Sequence, residues 1–137
     1  MTMIAHNAYN QYRENAINTA SPEELTLMLY NGLVKFIMRG IDSIEKGNIQ
    51  EAHNNIIRAQ DIVEEFVKTL DMRYEVSQGL SAVYDYMLKR LFDSNLHKDK
   101  DVLEEVLSFA KDLRDTWEQG MKIAKHQTKK TEAAPVE

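Results

Sequence analysis

The chain contains no cysteine, which excludes disulfides, thiolate metal sites and a cysteine nucleophile, and fits a reducing cytoplasm. Its 2 prolines and 5 glycines are too few for a disordered chain or a turn-rich all-β fold. No apolar run approaches the roughly 20 residues of a membrane span. Met1 to His6 offers neither a basic start nor an apolar core, so no secretory signal is expected. Cations are in the minority: 17 Lys and Arg against 22 Asp and Glu give a formal charge of −5, without the basic stripe that nucleic-acid binding needs. The expectation is a soluble cytoplasmic protein of one domain that inserts into no membrane and binds no nucleic acid.

Signatures of catalysis are scarce as well. The sequence has no G-x-S-x-G elbow, no P-loop and no Rossmann glycines. Di-metal bundles are built from Glu-x-x-His pairs, yet the residues three before His6, His53, His97 and His126 are Met3, Gln50, Ser94 and Ile123. Only His53 falls inside an expected helix, where it reads as a half-exposed side chain beside the core seam. Glu64-Glu65 and Glu104-Glu105 read as solvated faces, and Tyr84-Asp85-Tyr86 as packing plus an Asp85–Lys89 pair one turn on. Neither an enzyme, a metal site nor a cofactor site is expected.

What is present is helix. Ser21 is a good N-cap, Pro22 suits the first helical position, and Glu24 completes a Ser-x-x-Glu capping box. The spacing predicts a first helix from Pro22 to about Glu45, stopped by Gly47. A second runs from Ile49 to about Leu70, capped by Asn48, with the seam Ile49, Ala52, Ile56, Ala59, Val63, Phe66 and Leu70. A third begins between Arg73 and Ser77 and ends near Asn95. A fourth starts at an Asp99 or Asp101 cap and carries Val102, Val106, Ala110, Leu113, Trp117, Met121 and Ala124. Short links between such helices predict an all-α, antiparallel up-and-down four-helix bundle over 21–125, with no repeat and no second domain. Residues 1–20 form a mobile N-terminal arm and 126–137 a disordered tail.

Two features exceed what a plain bundle needs. On the first helix, one apolar stripe holds Leu25, Met28, Leu29, Leu33, Phe36, Ile37 and Ile44, and a second holds Leu27, Tyr30, Val34, Met38 and Ile41. A bundle-surface helix needs only about a third of its circumference apolar, so this helix is either packed on nearly all sides or carries a second face for a partner. The arm holds Tyr9 and Tyr12, three apart, and reads either as a disordered terminus or as a segment that docks. Seven methionines add adaptable apolar surface. The residues point to a small helical binding protein, whose arm is a lid or self-ligand.

Asn7-Ala8-Tyr9, Tyr12 and the run Thr19-Ala20-Ser21-Pro22-Glu23-Glu24-Leu25-Thr26-Leu27-Met28-Leu29-Tyr30-Asn31-Gly32 resemble the opening of the flagellin-specific export chaperones, the FliS family. The resemblance continues through Ile57 to Val63, Leu70-Asp71, Val83-Tyr84-Asp85-Tyr86-Met87-Leu88-Lys89-Arg90-Leu91, Asn95, Lys98-Asp99 and Leu113 to Trp117. It departs at Arg73-Tyr74, where the family often has a Gly-Gly pair. The resemblance implies a cytoplasmic four-helix bundle that binds the disordered C-terminal segment of flagellin and prevents premature polymerisation. It also implies delivery to the flagellar type III export gate, without nucleotide. Carried over, the partner-binding candidates are Tyr9, Tyr12, Leu27, Tyr30, Val34 and Met38. The chain is then a monomer or weak homodimer. A different reading is a homodimeric structural or regulatory bundle that uses the same apolar face.

Overall fold

The computed structural model describes residues 18–133, with side chains through residue 129, and residues 11, 14 and 15 of the preceding segment. Four helices follow one another: α1 Pro22–Glu45, α2 Ile49–Thr69, α3 Val76–His97 and α4 Lys100–Ala133. Among the described residues there is no strand.

The caps form as the side chains dictate. Ser21 Oγ accepts from the Glu24 N–H at 3.2 Å while Glu24 Oε2 accepts from the Ser21 N–H at 3.4 Å, so two orphan donors are satisfied together. α1 ends where Gly47 takes a left-handed φ of +72°, which lets the Asn48 N–H reach the Ser43 carbonyl at 2.8 Å. Asn48 Oδ1 then caps α2 by accepting from the Glu51 N–H at 3.2 Å. Asp99 caps α4, accepting from the Asp101 N–H at 3.0 Å. α3 has no side-chain cap of this kind. Its start is held by the Ser77 hydroxyl, which donates to the Asp71 carbonyl.

α1 packs against α2 and α4, and α3 packs against the same two. The helices therefore form a closed ring with α1 and α3 on one diagonal, an antiparallel up-and-down four-helix bundle. Antiparallel order is visible along α4: at its start Lys100 Nζ lies 3.5 Å from Glu45 at the end of α1, and midway along it Trp117 Nε1 donates to the Glu23 carbonyl at the start of α1, 3.0 Å away.

This ring explains the two stripes of α1. One faces α2, where Phe36 meets the Arg58 guanidinium at 5.5 Å and Gly32 leaves room for Ile62. The other turns toward α4, through Tyr30 and its neighbour Trp117. A helix with two packed neighbours and a diagonal partner buries a wide arc, and Tyr30, Leu33, Val34 and Ile37 are all core. Gly40 sits where α1 comes closest to its partners. An added Cβ would lie 3.4 Å from Leu103 and 3.5 Å from Ile56.

α4 runs further than its apolar pattern suggests, past Lys125 to Ala133. Lys125 to Ala133 contains no glycine or proline, and an established helix propagates through such residues at little cost. The first part of the expected tail is thus helix, with exposed side chains over 126–129; residues 134–137 lie outside the described set. In the arm, residues 18 and 19 are helical, and the Thr19 hydroxyl donates to the Asn15 carbonyl at 2.8 Å.

The fully buried Ile56 is among the largest core side chains. Ile56→Ala is expected to lower the unfolding free energy by about 2–5 kcal/mol, lost transfer energy plus a cavity. Urea denaturation followed by far-UV circular dichroism measures the change as a lower midpoint at constant slope.

Candidate functional site

Each helix contributes one aromatic ring to a cluster near the α1 N-terminus: Tyr30, Phe66, Tyr84 and Trp117. Tyr30 lies 4.5 Å from Phe66 and 6.3 Å from Trp117 between ring centroids, and Phe66 stacks on Tyr84 at 5.6 Å. Across the diagonal, the Tyr30 and Tyr84 hydroxyls are 2.8 Å apart in a buried hydrogen bond. Burial pushes both phenols above their ordinary range, and for Tyr30 the bond to Tyr84 pushes the same way. Both hydroxyls therefore stay neutral, and each satisfies the other where water does not reach.

These rings line an apolar cleft of about 840 Å³. Glu23 and Thr26 of α1, Thr69 of α2, and Leu80 and Val83 of α3 line it. The long α4 supplies a whole wall through Phe109, Leu113, Thr116, Gly120, Met121 and Ala124. Thus α4 reaches beyond the α1 start for a structural reason: its extra turns stand over the cleft. Nothing lies within 4 Å of where a Gly120 Cβ would sit, so the wall is low there.

The six residues carried over from the resemblance do not converge on this cleft. Tyr9 and Tyr12 lie outside the described residues. Tyr30 is in the cleft floor at 5% exposure, and Val34 is core at 4%. Of the two readings of α1, Tyr30 and Val34 follow the one in which the helix is packed on nearly all sides, so a carboxylate placed at either would be buried without a partner, at a cost to the fold. Leu27 is half-buried. Met38 is 50% exposed, on the surface outside the cleft. Phe66, Tyr84, Leu113, Trp117 and Met121 were assigned to seams alone. The signal that could have found them is the α4 stripe itself, whose Met121 and Ala124 fall beyond the reach of α1.

Elsewhere the surface is ordinary. The Tyr86 hydroxyl donates to Glu105 at 2.7 Å and Arg90 Nε sits 3.2 Å from the same oxygen, so both hold the Glu105 carboxyl below its usual range. No Asp85–Lys89 ion pair forms. His53 is exposed and contacts the Asn95 amide at 3.0 Å. Among the described residues no group of three or more His, Asp or Glu side chains could hold a metal ion, and no helix is long and apolar enough to cross a membrane.

The sequence profile described as flagellar protein FliS matches residues 5–124, most of the arm and nearly all of the bundle. The chain belongs to the FliS family. The flagellar secretion chaperone FliS of Bacillus subtilis is 42% identical over 119 residues, 87% of this chain and 90% of that protein. The corresponding chaperone of Campylobacter jejuni is 32% identical over 112 residues, covering 80% and 88%. That of Salmonella typhimurium is 31% identical over 109 residues, covering 77% and 81%. These relatives are named flagellar secretion chaperones.

Two predictions concern the tyrosine pair of this FliS-family chain. Tyr30→Phe and Tyr84→Phe each leave a buried hydroxyl unpaired and are expected to destabilise by about 1–3 kcal/mol. The double variant loses less than the sum, measurable in a double-mutant cycle of denaturation energies. In the unfolded chain both phenols ionise near about pH 10, whereas in the fold they resist it. The unfolded state then binds fewer protons, so the pair's stabilisation is complete below pH ~10 and falls as pH rises above it. Denaturation midpoints across alkaline pH should show a shallower loss in the double Phe variant.

Proposed function

We propose that this chain is a cytoplasmic export chaperone that binds the disordered C-terminal segment of flagellin in the apolar cleft. In this role it prevents premature polymerisation and assists delivery to the flagellar type III export apparatus. One observation carries the reading: the cleft is open, apolar and floored by four aromatic rings, on a member of a family whose relatives are named flagellar secretion chaperones.

The energetics fit a client that folds on binding. Ordering a disordered segment costs about 2–5 kcal/mol or more, while each fully buried apolar anchor returns about 1.5–3 kcal/mol. A few anchors in the cleft therefore suffice for a saturable yet reversible complex. The arm that carries Tyr9 and Tyr12 joins α1 at Ser21, beside Glu23 and Thr26 of the cleft. It serves as a cover that gives way to the client. Leu27 and Met38, on the side of α1 toward α4, extend the apolar surface. No nucleotide is needed, and handover follows from competition at the export gate or from unfolding of the client during export.

Calorimetric titration of the full chain with the C-terminal segment of flagellin from the same source tests the reading. One-to-one binding with a negative heat-capacity change is expected. Met121→Glu, on the half-buried cleft wall, should weaken it at least about tenfold, a loss of about 1.4 kcal/mol, with little change in the unfolding midpoint. No heat at high micromolar concentrations of wild-type chain would contradict the proposal.

A further inference from the structure

The link between α2 and α3 forms the cleft's outer edge. Tyr74 and Val76 both line the cleft, yet they are 62% and 68% exposed. Apolar surface left in water on the rim of an apolar opening forgoes most of the stabilisation that burial would give it. Tyr74 also makes no aromatic pair among the described residues, in contrast to the rings of the floor.

The link is nevertheless built, not loose. Asp71 accepts the Arg73 backbone N–H at 3.0 Å, and its carboxylate holds the guanidinium through Nε at 2.9 Å and a terminal nitrogen at 2.6 Å. The Asp71 carbonyl accepts the Ser77 hydroxyl, and the Tyr74 carbonyl accepts the Ser77 N–H at 3.1 Å. Ser77 itself is buried. Both ends of the link are thereby tied to Asp71, and Tyr74 is presented at the opening. Gly120 of α4, where an added Cβ would meet nothing within 4 Å, lines the same cleft.

Charge narrows what can lie between. Among the described residues, the charged side chains lining the cleft are Glu23, Asp71 and Asp112, all carboxylates. Arg73 offsets Asp71 alone. An apolar segment with Lys or Arg nearby is attracted to such a rim, and an acidic one is repelled.

We propose that the α2–α3 link is the outer jaw of the cleft. Tyr74 and Val76 close over an apolar client segment, and the rim carboxylates favour one flanked by Lys or Arg. This inference rests on the client-binding reading above.

The test uses the full-length chain and the flagellin C-terminal segment as probe, with Tyr74→Ser, Tyr74→Phe, Val76→Ser and Glu23→Gln/Asp112→Asn variants. Tyr74→Ser is expected to weaken binding about tenfold, near 1.4 kcal/mol, at unchanged unfolding midpoint, and Tyr74→Phe to retain it. Val76→Ser should weaken binding in the same way. The double carboxylate variant should bind a few-fold more weakly, with a flatter salt dependence. Amide exchange over 70–77 in the wild-type chain should slow when the segment is added. Wild-type affinity in Tyr74→Ser and Val76→Ser, with exchange over 70–77 unchanged, would overturn the jaw while leaving the cleft reading intact. No binding by the wild-type chain would remove both. Slow exchange over 70–77 in the free chain, relieved on adding the segment, would give the jaw to this chain's own residues 1–17 and overturn the assignment to the client.

Discussion

The hydrogen bond between the Tyr30 and Tyr84 phenols joins α1 and α3, which lie on a diagonal of the bundle. Phe66 and Trp117 from the other two helices close around it, so one layer takes a side chain from every helix. Large rings in a shared layer set the spacing of the helices there. Leu33, Ile56, Met87 and Leu103 fill the dry interior by ordinary close packing. On the other side of the rings lies the cleft. The aromatic layer is thus the boundary between a core that holds the fold and an apolar surface that remains open.

That boundary gives the cleft a floor made by the bundle itself. A bundle end lined by flexible aliphatic chains would close over its own apolar surface. Here the ring stack and the phenol pair fix the floor, the bond from Trp117 to the Glu23 carbonyl ties α4 to the first turn of α1, and the Asp71–Arg73–Ser77 bonds fix the rim. The bonds that shape the floor and rim all lie within the chain itself. A preformed site of this sort lowers the ordering cost on the chaperone's side and leaves it with the client.

Much of the fold was legible in residue spacing. Ser21, Asn48 and Asp99 announce helix starts through chemistry that operates within four residues, and the structure shows all three as caps. The seam from Ile49 to Phe66 is likewise a local pattern. The boundary near Lys125 was not legible, because apolar periodicity ends before helix propensity does. The width of the α1 apolar arc was read correctly as excess, but its meaning depended on which helices lie to either side. Tyr30 faces Phe66, Tyr84 and Trp117 from three other helices, and nothing in its own helix distinguishes a core stripe from a binding stripe. Tyr74 was passed over because a single aromatic in an irregular link carries no period at all. Family resemblance nominated six residues; among the four that are described, Tyr30 lines the cleft and Leu27, Val34 and Met38 do not.

Trp117 is the chain's single tryptophan and stands in the cleft wall, so its emission reports on this site and no other. Titrating the full chain with the flagellin C-terminal segment, while exciting tryptophan selectively, tests whether the client enters the cleft. The account predicts a saturable shift in Trp117 emission whose midpoint coincides with calorimetric binding, and which Met121→Glu displaces to higher concentration. Binding by calorimetry with Trp117 emission unchanged would place the client elsewhere on the bundle and contradict the assignment of the cleft.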